Sequence, residues 1–402
     1  MYPTLYDALK DLFGIEAPAL QIANTFGFFV AISFLAANYV MTLELRRKEK
    51  EGLLNPTFRT AKVGYPIPKS EYITNILIGF IFGYKILPVL FDSTLIQGGP
   101  QKYIFSLDGN WLFGIGLAAI LFYLKYREDI KQRLPEPGEQ QVIVHPWEHM
   151  GYITLVAAVT GIIGAKVFHW LEYWNDFISD PVAGLFSASG LTFFGGLICG
   201  GAGVLWVANK RGIAPLKMLD VGGPAMMLAY GVGRMGCHFS GDGDWGIVNT
   251  NPKPSWMSFL PDWFWAYDYP NNVNRECDPT GGSMPCNFDV TPHLQLPVYP
   301  TPLYEIIAAL ALFGILWMIR KKIKPAGALF GIYLMMAGVE RFFVELIRVN
   351  STYDWLQPII GFSPTQAEII SVVLFIGGAS LVYYAYKKHD KPLVVESEVR
   401  DE

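Results

Sequence analysis

Charge is scarce in this chain. Asp, Glu, Lys and Arg make up 16% of its 402 residues, against about 25% in soluble domains. That shortage argues against the two or three soluble domains its length alone would suggest. Runs of basic residues are lacking too, and the formal net charge is -4; a nucleic-acid surface is therefore not expected. Cysteine occurs four times, never as CxxC or CxxCH. HExxH and phosphate-loop signatures are also missing, so metal, haem and nucleotide cofactors have no motif behind them. A cleavable signal peptide is not expected. Residues 1–16 mix Asp7, Lys10, Asp11 and Glu16 with apolar residues and have no long apolar stretch behind a basic start. They read as a short amphipathic helix at a membrane surface.

What the chain has instead is apolar length: 52% of its residues are hydrophobic and 15% aromatic. A membrane-crossing helix needs roughly 20 mainly apolar residues. Nine segments qualify, near 19–43, 72–91, 109–124, 151–171, 185–208, 218–239, 303–319, 325–347 and 366–386. The expected fold class is all-α, a polytopic α-helical membrane protein with about nine transmembrane helices. The positive-inside rule orients it. The loops 44–71, 125–149 and 210–217, the cluster 320–324 and the tail from Lys387 hold 22 of the 31 basic residues. The opposite side holds only Lys10, Lys102, Lys253 and Arg275. The N-terminus is expected outside, in the periplasm, and the C-terminus in the cytoplasm.

Four regions follow: 1–150, with the surface helix and the first three spans; 151–246; an outer loop at 247–298; and 299–402. The outer loop is rich in aromatics, including Trp256, Trp263, Trp265 and Tyr269, as suits a membrane–water interface. It also holds Cys277 and Cys286, a candidate disulfide if this side is oxidising. Cys199 and Cys237 fall in apolar segments, where cysteine packs as a small apolar residue.

The remaining basic residues, Lys85, Lys166, Arg234, Arg341 and Arg348, lie within the apolar spans or at their outer ends. A charge at mid-bilayer costs about 2.5–3.5 kcal/mol even on the lenient insertion scale. One such residue is explained by a buried ion pair; five cations together favour an anionic ligand. Three stretches surround them. Residues 231–246, GVGRMGCHFSGDGDWG, bring Arg234, His238, Asp242 and Asp244 to the outer end of a helix that runs into a glycine-rich turn. In 338–350, GVERFFVELIRVN, Arg341, Glu345 and Arg348 recur at i, i+4 and i+7 and so share a helix face. At Tyr299–Glu305, Pro300 and Pro302 keep the chain extended before a span begins at Tyr304 and Glu305. A carboxylate in a first helical turn is also a favourable cap, which alone accounts for Glu305. The glycines of 190–201 suit close helix packing.

Four elements, taken in order, resemble the prolipoprotein diacylglyceryl transferase family: Gly195-Gly196-Leu197; Gly233-Arg234-Met235-Gly236 with Trp245-Gly246; Pro300 to Glu305; and Arg341, Glu345 and Arg348. The resemblance runs from about 150 to 385, with a weaker match in the first span. This chain differs from the family pattern at Phe26, Phe194 and Cys237. Its second and third spans look like an insertion into the usual seven-helix architecture. The resemblance implies a bacterial inner-membrane enzyme without metal or cofactor. It would move the diacylglyceryl group of phosphatidylglycerol to the lipobox cysteine of a prolipoprotein signal peptide. Arg234 and Arg341 would hold the phosphate, and Glu345 would orient Arg341 and Arg348. His238, Asp242 or Asp244 would lie nearest the thiol. Tyr304, Glu305, Gly195, Gly196, Gly246 and Lys166 would line the substrate site. Buried arginines in glycine-interrupted helices also suit an anionic-lipid transporter or scramblase, and the departures at Phe26 and Phe194 suit a non-catalytic relative.

Overall fold

The computed structural model describes all residues except 97–99, 182–183, 185–191, 280–286, 351, 355–356, 358–360, 362 and 390–402. A capping box opens the first helix, α1 (Leu5–Phe13): the Thr4 side chain accepts from the Asp7 N–H and the Asp7 carboxylate accepts from the Thr4 N–H. Nine longer helices follow among the described residues: α2 (Thr25–Lys50), α3 (Lys69–Phe91), α4 (Trp111–Gln132), α5 (Met150–Glu172), α6 (Phe193–Lys210), α7 (Pro215–Ser240), α8 (Thr301–Ile319), α9 (Ala328–Glu345) and α10 (Gln366–His389). Side-chain caps mark several starts. Asn24 Oδ1 accepts from Phe26 N at 2.8 Å and Asn110 Oδ1 from Leu112 N at 2.9 Å. The cap of α9 comes from another helix. The Asp220 carboxylate on α7 accepts from Gly327 N at 2.8 Å and Phe330 N at 3.0 Å, satisfying donors a helix start leaves open.

Six helices are long and apolar enough to cross a membrane: α2, α3, α5 with its preceding turn, α6, α8 and α10. In their most apolar stretches only 6–28% of residues are buried inside the protein. Apolar side chains such as Leu35, Phe82, Ile162, Ile198 and Ile376 stay exposed. A water-soluble core would bury them, so an apolar surrounding medium accounts for the surface, as in a multi-pass membrane protein. By contrast α7 buries residues along its whole length. It packs against α2, α8 and α9 and forms the centre of the bundle. Below it, at the basic ends of α2 and α8, Glu44 is 1% exposed and accepts from Arg47 at 2.5 and 2.9 Å and from Arg320 at 3.2 Å.

The all-α expectation needs one correction. β1 (Thr57–Val63) and β2 (Gly138–Val144) pair antiparallel, Thr57 opposite Val144 and Val63 opposite Gly138. These strands are short and polar, without the apolar alternation that signals a half-buried strand. The third long helix also runs to Gln132 rather than ending near 124. Its last turns are charged, so an apolar-length criterion cannot see them. Residues 185–191, the expected start of the fifth span, lie outside the described residues.

The α5–α6 seam shows why glycine repeats there. A Cβ built on Gly195 would lie 2.5 Å from Gly164 O and 2.5 Å from Phe168 Cβ. Contacts that short require the helices to separate. A Gly195→Leu variant is expected to lose about 1–3 kcal/mol, the usual cost of overpacking. Thermal unfolding in detergent should show a lowered midpoint, and an unchanged midpoint would mean the seam is loose.

Candidate functional site

Glu305 lies just past the first turn of α8 and is 0% exposed. A lone carboxylate buried among apolar helices would be strongly disfavoured, and four neighbours answer it. Tyr230 on α7 donates its hydroxyl at 2.6 Å. Arg234, one turn further along α7, forms an ion pair through Nε. Arg348 donates from Nη1 at 3.1 Å, and Arg341 Nη1 stands 3.9 Å away. The sequence explanation of Glu305 as a helix cap is therefore incomplete: this side chain is the meeting point of three arginines from two helices and the turn that follows.

Two further acids complete the network. Asp244 binds Arg234 with one oxygen and Arg348 with the other, the latter at 2.8 Å. Glu345 accepts from Arg341 at 2.7 Å and from Asn350 at 2.6 Å. Three guanidinium groups thus face three paired carboxylates. Asp244 and Glu305 balance the net positive charge that Arg341, Glu345 and Arg348 carry together. Two donors remain open nevertheless, because Arg341 Nη1 and Arg348 Nε are buried without a hydrogen-bond partner.

Backbone geometry brings these residues together. Gly241 and Gly243 have φ of +65° and +94°, conformations that glycine adopts without strain. They fold Asp244 back toward α7. Gly246 N donates to Tyr299 O at 2.8 Å, and Ile247 N donates to Ile347 O at 2.9 Å. A Cβ on Gly246 would stand 2.9 Å from both Thr301 Cγ2 and Tyr299 Cβ. Glycine here lets three chain segments meet, placing Asp244, Glu305 and Arg348 side by side.

A groove of about 620 Å³ opens beside the cluster between α8 and α9, with Phe375 of α10 at its edge. Its walls are apolar apart from Tyr304 and Glu340. The Tyr304 hydroxyl donates to Phe264 O at 2.7 Å, tying the groove to the outer loop. That loop divides its aromatics. Trp256 and Phe259 are exposed, while Tyr269 is fully buried with Trp245, Leu294 and Val298. Cys277 is disulfide-bonded; Cys286, its expected partner, lies outside the described residues.

Other expected site residues lie elsewhere. His238 is on α7, but its ring packs with Phe239, Tyr267 and Tyr269 under the outer loop. Gly195 and Gly196 belong to the α5–α6 seam, and Lys166 is half-buried on α5. Lys85 is not available to an anion as the sequence suggested. Its ammonium donates to the carbonyls of Tyr103, Ser106 and Asp108 at 2.6–2.9 Å. Sequence reasoning passed over Tyr230, Asn350 and Glu340. Tyr230 lies one turn before Arg234, so helical spacing from that arginine could have found it; Glu340 adjoins Arg341 in sequence, a spacing that does not place the two on one face.

Asp242 and Asp244 are adjacent but unlike. Burial pushes the Asp242 carboxyl above its usual range, and the nearby Asp244 charge adds to this. Burial would also raise Asp244, but Arg234 and Arg348 outweigh it and hold that carboxyl below the usual range. The Cys237 thiol and these two carboxylates have ligand atoms within 4.8 Å of one another. Both Asp244 oxygens already carry guanidinium partners.

A family model described as prolipoprotein diacylglyceryl transferase matches residues 111–384. The match begins at the start of α4, earlier than the motifs alone indicate. Proteins named phosphatidylglycerol–prolipoprotein diacylglyceryl transferase are similar over more than half of the chain. That of Vibrio vulnificus strain CMCP6 is 31% identical over 240 residues, 58% of this chain and 74% of its own length. That of Pseudomonas aeruginosa strain PAO1 is 25% identical over 251 residues, 60% and 78% of the two chains. That of Dehalococcoides mccartyi strain CBDB1 is 27% identical over 242 residues, 58% and 76%.

The raised Asp242 carboxyl sets a pH-dependent expectation. The folded state holds that proton more tightly than the unfolded chain does. Ionised Asp242 therefore costs stability above the ordinary carboxylate pKa, increasingly as pH rises through the folded value. Asp242→Asn should raise the thermal midpoint at pH 7 and leave it unchanged at pH 3. Equal midpoints at pH 7 would contradict the burial argument.

Proposed function

Since the chain belongs to the prolipoprotein diacylglyceryl transferase family, we propose that it transfers the diacylglyceryl group of phosphatidylglycerol to the lipobox cysteine thiol of a prolipoprotein. A thioether forms and glycerol phosphate leaves. The observation that carries this reading is the juxtaposition of an apolar groove with a half-buried arginine cluster. A phospholipid has the same two-part character: acyl chains for the groove and an anionic headgroup for the cations.

The roles follow from which donors are free. Arg341 offers Nη1 and Arg348 offers Nε without displacing an existing bond, so these two meet the phosphate directly. Arg234 is engaged by Asp244 and Glu305 and contributes fixed positive charge behind them. Pre-set donors facing a phosphate leaving group stabilise charge that grows as the carbon–oxygen bond breaks. Glu345 holds Arg341 in place. Tyr304 and the outer loop border the groove, where the signal peptide approaches. In this reading all nine long helices span the bacterial inner membrane, with the N-terminus in the periplasm. The distribution of basic residues supports that orientation.

Arg341→Ala and Arg234→Ala are each expected to lower transfer by at least 100-fold, the scale for removing one preorganised donor. The assay incubates membranes with phosphatidylglycerol and a lipobox peptide and weighs the peptide for a diacylglyceryl gain. Wild-type protein that moves lipid across the bilayer without any adduct would defeat this reading. Near wild-type turnover in either variant would remove its arginine cluster from the mechanism.

A further inference from the structure

Displacement of a phosphate by a thiol requires a group that takes the thiol proton. A carboxylate whose lone pairs are already committed to cations serves poorly. Asp244 is bonded to two arginines, Glu305 to Tyr230, Arg234 and Arg348, and Glu345 to Arg341 and Asn350. Glu340 differs from all three. Its Oε1 is buried and accepts no hydrogen bond. It is also the one charged side chain among the described residues lining the apolar groove, and it lies against the Tyr230 hydroxyl. It thus stands where the groove meets the arginine cluster. That is the position in which lipid seated in both would hold its reacting glycerol carbon.

Resting on the transferase reading, we propose that Glu340 is the catalytic base that receives the proton of the acceptor cysteine. The S–H proton passes to Glu340 Oε1. The sulfur lone pair forms the new S–C bond at the glycerol carbon. The C–O bond to phosphate breaks, and its electron pair leaves on glycerol phosphate. The proton on Glu340 then passes to the departing phosphate or to water, restoring the carboxylate. No electrons change hands, so no oxidant or reductant is needed. The Tyr230 hydroxyl between Glu305 and Glu340 positions the base and couples it to the cluster.

The test uses the full-length protein in membranes with phosphatidylglycerol and a lipobox peptide. Wild type, Glu340→Gln and Glu340→Asp are compared across pH 6 to 9 for adduct formation. Phosphatidylglycerol retention by each purified protein is read by native mass spectrometry. Glu340→Gln should lose about 100-fold or more in turnover at pH 7, the low end for a general base, while retaining lipid like wild type. Its rate should climb toward alkaline pH as the thiol, with a pKa near 8.5, ionises unaided. Glu340→Asp should recover part of the loss. A Glu340→Gln rate within twofold of wild type overturns the assignment and leaves the transferase reading intact. So does a pH-independent loss shared by both variants together with lost lipid retention, which marks a structural role. Absence of adduct in wild type overturns both.

Discussion

A single buried carboxylate organises one end of this molecule. Glu305 has no water to turn to, so its charge must be met by protein, and Arg234 and Arg348 cannot stay charged in the same place without it. The dependence is mutual and spans α7, α8 and the turn after α9. Replacing one partner of a buried pair typically costs about 3–5 kcal/mol because the other is left uncompensated. Helix positions, the fold of the glycine turn at 241–246 and the course of the outer loop all converge on keeping this network closed.

A second charged centre at the opposite end of the bundle sharpens the comparison. Glu44 with Arg47 and Arg320 is also buried, as is Asp220 beneath α9. These groups are spent on one another or on backbone donors, and nothing about them invites a ligand. The outer network differs in having guanidinium N–H groups left over and an apolar cleft next to them. Charge burial alone is therefore uninformative about function. Surplus hydrogen-bonding capacity beside a shaped cavity is what separates a site from a fastening.

Much of this was legible in residues. Apolar length located the helices because lipid demands about 20 apolar residues per crossing. Arg234, Arg341 and Arg348 announced themselves because cations are costly there. Spacing alone read Glu305 as a cap and only the family resemblance placed it at the substrate site, since its partners come from segments as far as 75 residues before it and 43 after, which spacing within one helix cannot reveal. Lys85 misled for the opposite reason. Its partners are backbone carbonyls at the end of a short helix and in the residues after it, which no residue type advertises. His238 shares a helix with Arg234, but the loop folds over its ring, and that fold depends on long-range packing. The ribbon was invisible because its strands have no apolar face.

The ribbon has a consequence for how the architecture tolerates change. Val63 and Gly138 are paired across it, so the chain that departs into α3 and comes back from α4 ends beside its own point of departure. One helix leading out and one leading back have even parity. Whatever the length or fate of that excursion, the backbone re-enters the bundle on the face it left, and every later helix keeps its direction. The arginine cluster is thereby insulated from variation in a sizeable fraction of the chain that precedes it.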